Sequence, residues 1–343
     1  VPVPCPGFPM PQPADAPWLS VLVPVYNVER YVRACLDSVL GQADAGVELL
    51  VLDDASPDAA MAVVADLQRA HPGRIRTLAH ARNRGLSAAR NSLAEAARGR
   101  YLWFLDSDDV LLPGAIAGLR EVVEREAPDL VLCDFRLLRE HGTPYGPLRG
   151  RARRPGFGGR AGDGGSDHDA LLTGLLEGRQ LHAWSKIAVR EAWQAARFPE
   201  GRYFEDMAVV APLCARVARW RHVPRPWVGY RQRGDSIMAR MTPDKSRDLL
   251  ASLRELHAGV LASPGGVSAD TRRALEYFCM RTFAALARKV PRDDDALARE
   301  CVAEIARVFP GGLRAVLAEY RARGWWLRAW RAGRTLGRRG WLR

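Results

Sequence analysis

Asp106-Ser107-Asp108 places two carboxylates one residue apart, directly after an apolar run, Tyr-Leu-Trp-Phe-Leu, at 101–105. Oxygen donors at that spacing can share one hard cation, Mn²⁺ or Mg²⁺, which keeps positions open for a diphosphate. A solvated acidic turn is the plain alternative. Asp53-Asp54-Ala55-Ser56 closes a second apolar run in the same way. A carboxylate there can accept hydrogen bonds from a nucleobase or a ribose, and Asp54, Ser56 or Asp58 can also cap the helix that follows. Tyr26 ends a third apolar run and offers a ring to a base. In the stretch Asn83 to Asn91, Gly85 permits close approach of backbone and Ser87 can cap the next helix. A helix N-terminus beside Arg84 suits an anionic diphosphate, and a surface helix with solvated arginines competes with that reading.

These residues need a scaffold. Buried strands are expected at 19–25, 47–52 and 101–105, with a shorter one at 74–78 and another at 129–135. Helical patterns fill 29–40, 59–70 and 87–97. The alternation predicts an α/β fold, a mostly parallel sheet with helices on both faces, and such sheets bind ligands beyond the carboxyl ends of their strands. Residues 139–169 are rich in glycine and arginine and are expected to form a flexible loop. From about residue 241 to 343 the pattern turns helical, with segments at 245–261, 269–289 and 295–308. Residues 1–17 read as a disordered, proline-rich lead-in without the apolar stretch of a signal peptide.

At 343 residues the chain can bury a large core. Its net charge of +12 implies attraction to something anionic, such as nucleotide diphosphates, acidic lipid surfaces or nucleic acid. The six cysteines form no C-x-x-C pair, which favours single buried thiols and a reducing compartment. No apolar run approaches the ~20 residues needed to cross a bilayer. The seven histidines form no pair at metal-ligand spacing, and only His182, near Trp184, is expected close to the site.

Four motifs in order, Val-Pro-Val-Tyr-Asn (23–27), Asp-Asp-Ala-Ser (53–56), Asn-x-Gly-Leu-Ser-x-Ala-Arg-Asn (83–91) and Phe-Leu-Asp-Ser-Asp-Asp (104–109), resemble family 2 glycosyltransferases. Ala55 stands where that family usually has glycine. The resemblance implies a GT-A fold, a nucleotide-diphosphate-sugar donor (a UDP-sugar is expected) and a divalent metal. By it, Pro24, Tyr26 and Asp54 contact the nucleobase, Asp106 the ribose or metal, and Asp108 the metal. Trp184-Ser-Lys186, Phe198-Pro-Glu-Gly201 and Tyr203-Phe-Glu-Asp-Met207 are similar to the family's acceptor-side half. That similarity makes Asp206 the general base and Glu205 its neighbour. Inverting transfer needs one carboxylate to take the acceptor proton, and a second beside it raises the pKa of one of the pair. A simple acidic helix start is the alternative. Residues 230–237 resemble the family's closing segment, so Arg231, Arg233 and Ser236, helped by Lys186, are expected to hold the leaving diphosphate or acceptor.

The expected activity is therefore inverting transfer to a hydroxyl of a glycan, wall-polymer or lipid-linked acceptor. The Q-x-x-R-W signature of processive synthases is absent, which favours addition of single or few sugars. Nucleotidyl transfer would need a glycine-rich loop after the first strand, and none is present. A non-catalytic GT-A-like binding protein would be expected to lose Asp106, Asp108 or Asp206, and all three are there. Residues 321–343 carry eight arginines, four tryptophans and no acid. That composition suits an anionic membrane surface, internal packing or, less well, nucleic acid. A cytoplasmic protein, peripheral on the inner face of the cell membrane, is the expectation.

Overall fold

The computed structural model describes residues 16–141, 143, 153–234, 241–291 and 294–342. The lead-in up to residue 15 and Ser236 lie outside the described residues. The chain runs β1 (Leu19–Val25), α1 (Glu29–Leu40), β2 (Val47–Asp53), α2 (Ala60–Ala70), β3 (Ile75–Ala79), α3 (Leu86–Ala96), β4 (Tyr101–Phe104), β5 (Val110–Leu111), α4 (Ala115–Glu126) and β6 (Leu130–Leu138). It continues through β7 (Arg153–Arg154), β8 (Gly164–Gly165), α5 (His168–Gly178), β9 (Lys186–Val189), α6 (Arg190–Ala195), α7 (Glu205–Ala208), α8 (Val210–Cys214) and β10 (Trp220–Arg231). Five helices close it: α9 (Pro243–Leu261), α10 (Ala269–Lys289), α11 (Asp295–Val308), α12 (Gly312–Ala322) and α13 (Trp326–Gly337).

The strands form one mixed sheet in the order β3-β2-β1-β4-β9-β6-β10-β5. β3, β2, β1 and β4 are parallel neighbours, and β9 is antiparallel to both β4 and β6. Every residue of β1 is buried, Ser20 included, as expected of a largely apolar central parallel strand. One apolar cluster, with α1, α2 and α4, covers one face; a second, with α3, α5, α6 and the C-terminal helices, covers the other. This is the GT-A arrangement of a mostly parallel sheet between helices, extended by a helical C-terminal region. The chain order reverses direction between β1 and β4, so the ends of β1, β2 and β4 open onto one crevice.

The described part of 139–169 is tied to the sheet, β7 to β6 and β8 to β10. Phe157 is buried among core residues, and a Cβ on Gly174 would fall 2.0 Å from its ring, so that glycine is a packing requirement. The five described cysteines are buried and free. Among the described residues no helix is long and apolar enough to cross a membrane.

Ala55 takes φ +56°, in the left-handed region that glycine enters without strain. Its place in the turn is fixed by Asp53 Oδ1, which accepts the Ser56 N–H at 2.7 Å, and by Ser56 Oγ, which accepts the Asn27 N–H at 2.8 Å. A left-handed residue with a Cβ costs about 1–2 kcal/mol, and the added freedom of glycine in the unfolded chain returns about 0.4–1 kcal/mol of that. Ala55→Gly should therefore raise stability by about 0.5–1 kcal/mol in urea titration. A lower midpoint at unchanged slope would show that the turn is not strained.

Candidate active site

Pro24 lies near the end of β1 and Tyr26 follows it, Asp54 follows β2, and Asp106 and Asp108 follow β4; all five line one cleft of about 970 Å³. Tyr26 is 46% exposed at its edge, with its ring free for a flat ligand. The far wall comes from His182 and Trp184, from the 201–207 segment and from Tyr230, Arg231 and Arg233. An inner arm runs along α10, past Phe278, Thr282 and Leu286 to Lys289.

At the centre lies Arg90, on α3 and only 1% exposed. Its Nη1 donates to Glu205 Oε1 at 2.7 Å and to Asp206 Oδ1 at 2.8 Å, and its Nη2 donates to Asp106 Oδ1 at 2.8 Å. Burial alone would lower its pKa, but the carboxylates of Asp206, Asp106 and Glu205 outweigh that and raise it. The sequence reading weighed a diphosphate seat against solvated arginines for this stretch and gave Arg90 no role of its own; the structure buries it. Arg90 joins residues that are 16 and 116 positions away. The neighbouring Asn91 clasps Phe198 reciprocally, donating to its carbonyl and accepting its N–H, each at 2.9 Å. Together they pin the loop that leads into α7. From the other side, Asp248 of α9 accepts the Tyr203 N–H at 3.1 Å.

Glu205 and Asp206 form the first turn of α7, after Phe204 in a left-handed conformation. Burial, then the adjacent Asp206 charge, raises the Glu205 pKa above the ordinary carboxylate range. Asp108 is also raised, by burial and by Asp106, although Arg233 Nη1 donates to its Oδ2 at 3.1 Å. Asp109 is buried beneath them; its Oδ1 accepts the Arg231 N–H at 2.7 Å, while Oδ2 is without a hydrogen-bond partner among the described residues. Arg231 Nε donates to the Asp108 carbonyl at 2.7 Å, which fixes the end of β10 on the acidic turn. Asp106, Glu205 and Asp206 thus share the single Arg90 guanidinium, while Asp108 pairs with Arg233.

Other expected residues have different partners. Asp54 is buried, with Oδ1 accepting from Arg84 N–H at 2.9 Å and His80 Nδ1 at 2.6 Å, and Oδ2 accepting from Gly85 N–H at 2.8 Å. It thereby occupies the start of α3, the place expected for a diphosphate. Arg84 itself pairs at the surface with Glu200 at 3.2 Å. Ser87 does not cap α3; Gly85 is the cap, at φ +86°, and the Ser87 hydroxyl is buried. Lys186 is outside the cleft lining. Its Nζ donates to the carbonyls of Gln180 (3.0 Å) and His182 (2.9 Å), and burial depresses its pKa to about 8. It positions His182, which lines the cleft, stacks on Trp184 with ring centroids 4.7 Å apart, and is held below the ordinary imidazole pKa by burial. The sequence offered no signal for His80, whose partner Asp54 is 26 residues away.

Comparison with known proteins follows the same lines. Residues 20–176 match the family described as Glycosyl transferase family 2. The uncharacterized glycosyltransferase EpsJ of Bacillus subtilis is 36% identical over 138 residues, covering 40% of this chain and 40% of EpsJ. The chain therefore spans well under two thirds of that relative. The uncharacterized glycosyltransferase YibD of Escherichia coli is 25% identical over 336 residues, 91% of this chain and 92% of YibD. Among solved structures, residues 1–349 of S. aureus TarS in complex with UDP-GlcNAc superpose with a TM-score of 0.70 at 18% identity, over 94% of this chain and 92% of that one. That likeness is one of fold.

The raised pKa of Glu205 sets a stability test. Folding favours its protonated form, so its stabilising contribution is full below the ordinary carboxylate range and is lost as pH rises through the raised value. Glu205→Gln, which mimics the protonated form, should be more stable than the parent at pH 8 by about 1 kcal/mol or more, with the gain vanishing near pH 4. A variant less stable at pH 8 would mean that the ionised Glu205–Arg90 pair is a net stabiliser.

Proposed function

We propose that this chain, whose residues 20–176 match Glycosyl transferase family 2, transfers a sugar with inversion from a nucleotide diphosphate donor, a UDP-sugar, to a hydroxyl of a glycan, wall-polymer or lipid-linked acceptor. One observation carries the reading. Arg90 holds Asp106, at the end of the nucleotide-side strand, and Asp206, on the opposite wall, on two nitrogens of one guanidinium. Sugar donor and acceptor hydroxyl would meet between them.

In this reading Asp206 is the base. The acceptor oxygen attacks the anomeric carbon from the face opposite the diphosphate, its proton passes to Asp206, and the bond to the diphosphate oxygen breaks. The donated Arg90 hydrogen bond keeps Asp206 oriented, while Glu205 shares the same cation. Arg231 and Arg233, with Ser236, are proposed to meet negative charge on the departing diphosphate. Tyr26 and Pro24 would seat the base, and Asp54 would frame that pocket by holding the 84–85 turn.

Asp106 and Asp108 fit a divalent cation, Mn²⁺ or Mg²⁺. They offer only oxygen donors, and both are partly exposed to the cleft. No cluster of three or more metal-binding side chains occurs among the described residues, so the diphosphate would have to complete the shell. Such a cation would supply positive charge to the leaving group.

Two measurements test this. Calorimetry with UDP and other nucleoside diphosphates, with and without Mn²⁺, should give metal-dependent binding of UDP that Asp108→Ala abolishes. Metal-independent binding of equal strength in both proteins would undo the metal assignment. Asp206→Asn should lower transfer by about 10²–10⁴-fold while UDP affinity stays within about threefold. Near-normal turnover in that variant would remove Asp206 as the base.

A further inference from the structure

Six large apolar side chains are exposed among the described residues. Tyr26, Leu86 and Tyr203 line the cleft. The other three, Trp326 (65% exposed), Leu327 (57%) and Trp330 (55%), stand together at the start of α13, outside the cleft lining. With about 100° between successive residues, they project from one face of the helix. Arg331, Arg334 and Arg338, all exposed, continue that face toward its C-terminal end. The Arg334 guanidinium sits 5.2 Å over the Trp330 ring. On the opposite side Ala329, Ala332 and Leu336 are buried where α13 packs on α10 and α12. After Glu319 the sequence contains no further acid.

The four tryptophans of the tail are thus divided. Trp341 is buried, and Trp325 packs against Tyr277 and Tyr320, with Arg328 stacked on Trp325 and Tyr277. These contacts anchor α13. Trp326 and Trp330 add nothing to that anchoring and face outward.

We propose that this face of α13 is a docking surface for an anionic lipid bilayer. Tryptophan and leucine side chains enter the boundary between headgroups and acyl chains, and flanking arginines pair with lipid phosphates. A second copy of the chain fits the face poorly, because a two-fold contact would set its arginines against one another. A twelve-residue helix is too short to span a bilayer, so it would lie in the surface plane. It packs on α10, and α10 also lends Phe278, Thr282 and Leu286 to the inner arm of the cleft. One helix therefore touches both the docking element and the inner arm of the cleft. The docking itself goes beyond the transfer reading and needs no sugar nucleotide.

The test uses the full chain with vesicles of mixed phosphatidylglycerol and phosphatidylcholine, and with phosphatidylcholine alone, read by sedimentation and tryptophan emission. Binding to the mixed vesicles, with a blue shift, should be at least tenfold stronger than to the neutral ones, and should weaken as salt shortens the ~10 Å screening length of 0.1 M buffer. The triple change Trp326→Ala, Leu327→Ala and Trp330→Ala should lower partitioning at least tenfold. Arg331→Gln, Arg334→Gln and Arg338→Gln together should lower it by roughly fivefold per arginine. Both variants should keep the parental melting temperature and nucleotide affinity, so loss of docking stays distinct from failure at the cleft. Equal binding to both vesicle types, or undiminished binding by the alanine variant, would overturn the proposal. So would a dimer, or an oligonucleotide complex, that the alanine changes abolish while the parent ignores vesicles.

Discussion

A guanidinium sealed from water survives as a charge only if its surroundings replace the lost hydration, a cost of several kcal/mol per ion. For Arg90 the replacement is three carboxylates drawn from two distant parts of the chain. Asp106 arrives in the turn just after β4; Glu205 and Asp206 arrive on a four-residue helix that could hardly persist alone. Removing Asp106 or Asp206 leaves the buried guanidinium short of counter-charge, so the loop of residues 198–206 and the acidic turn after β4 are locked to the same point. The geometry of the site is a consequence of that ionic centre, and Asn91 reinforces it from the next position on α3.

Much of the scaffold was legible because its signals are local. The apolar runs at 19–25, 47–52 and 101–105, the acids that end the last two, and the long helical periods after residue 242 all reappear around β1, β2, β4 and α9–α11. The order of the motifs placed Tyr26, Asp54, Asp106 and Asp108 on one crevice, as a parallel sheet with its switch point there demands. What could not be read was pairing across long separations. Arg90 looked like one more arginine on a surface helix, since nothing near it in sequence marks burial. The reading of Asp54 as a nucleobase contact did not include the hydrogen bonds by which its oxygens hold the Arg84 and Gly85 amides and His80. Lys186 was read as a cleft cation, yet it closes the turn beneath His182.

The departure at Ala55 is of another kind. The backbone there keeps the left-handed turn that glycine would satisfy, so the fold has retained a geometry while the residue that suits it has changed. The hydrogen bonds of Asp53 and Ser56 hold it in place. The C-terminal helices serve the site in a similar supporting way: α9 restrains Tyr203, and α10 supplies the apolar inner wall of the cleft.

The most direct measurement is the coupling energy between Asp106 and Asp206, obtained from the stabilities of Asp106→Asn, Asp206→Asn and the double variant, first with Arg90 and then in an Arg90→Met background. If Arg90 is the shared centre, the two aspartates should couple by about 0.5–3 kcal/mol with the arginine present, and that coupling should vanish or reverse sign without it. Additive effects in the Arg90 background would contradict the account, because they would mean that the two walls of the cleft are held in place independently.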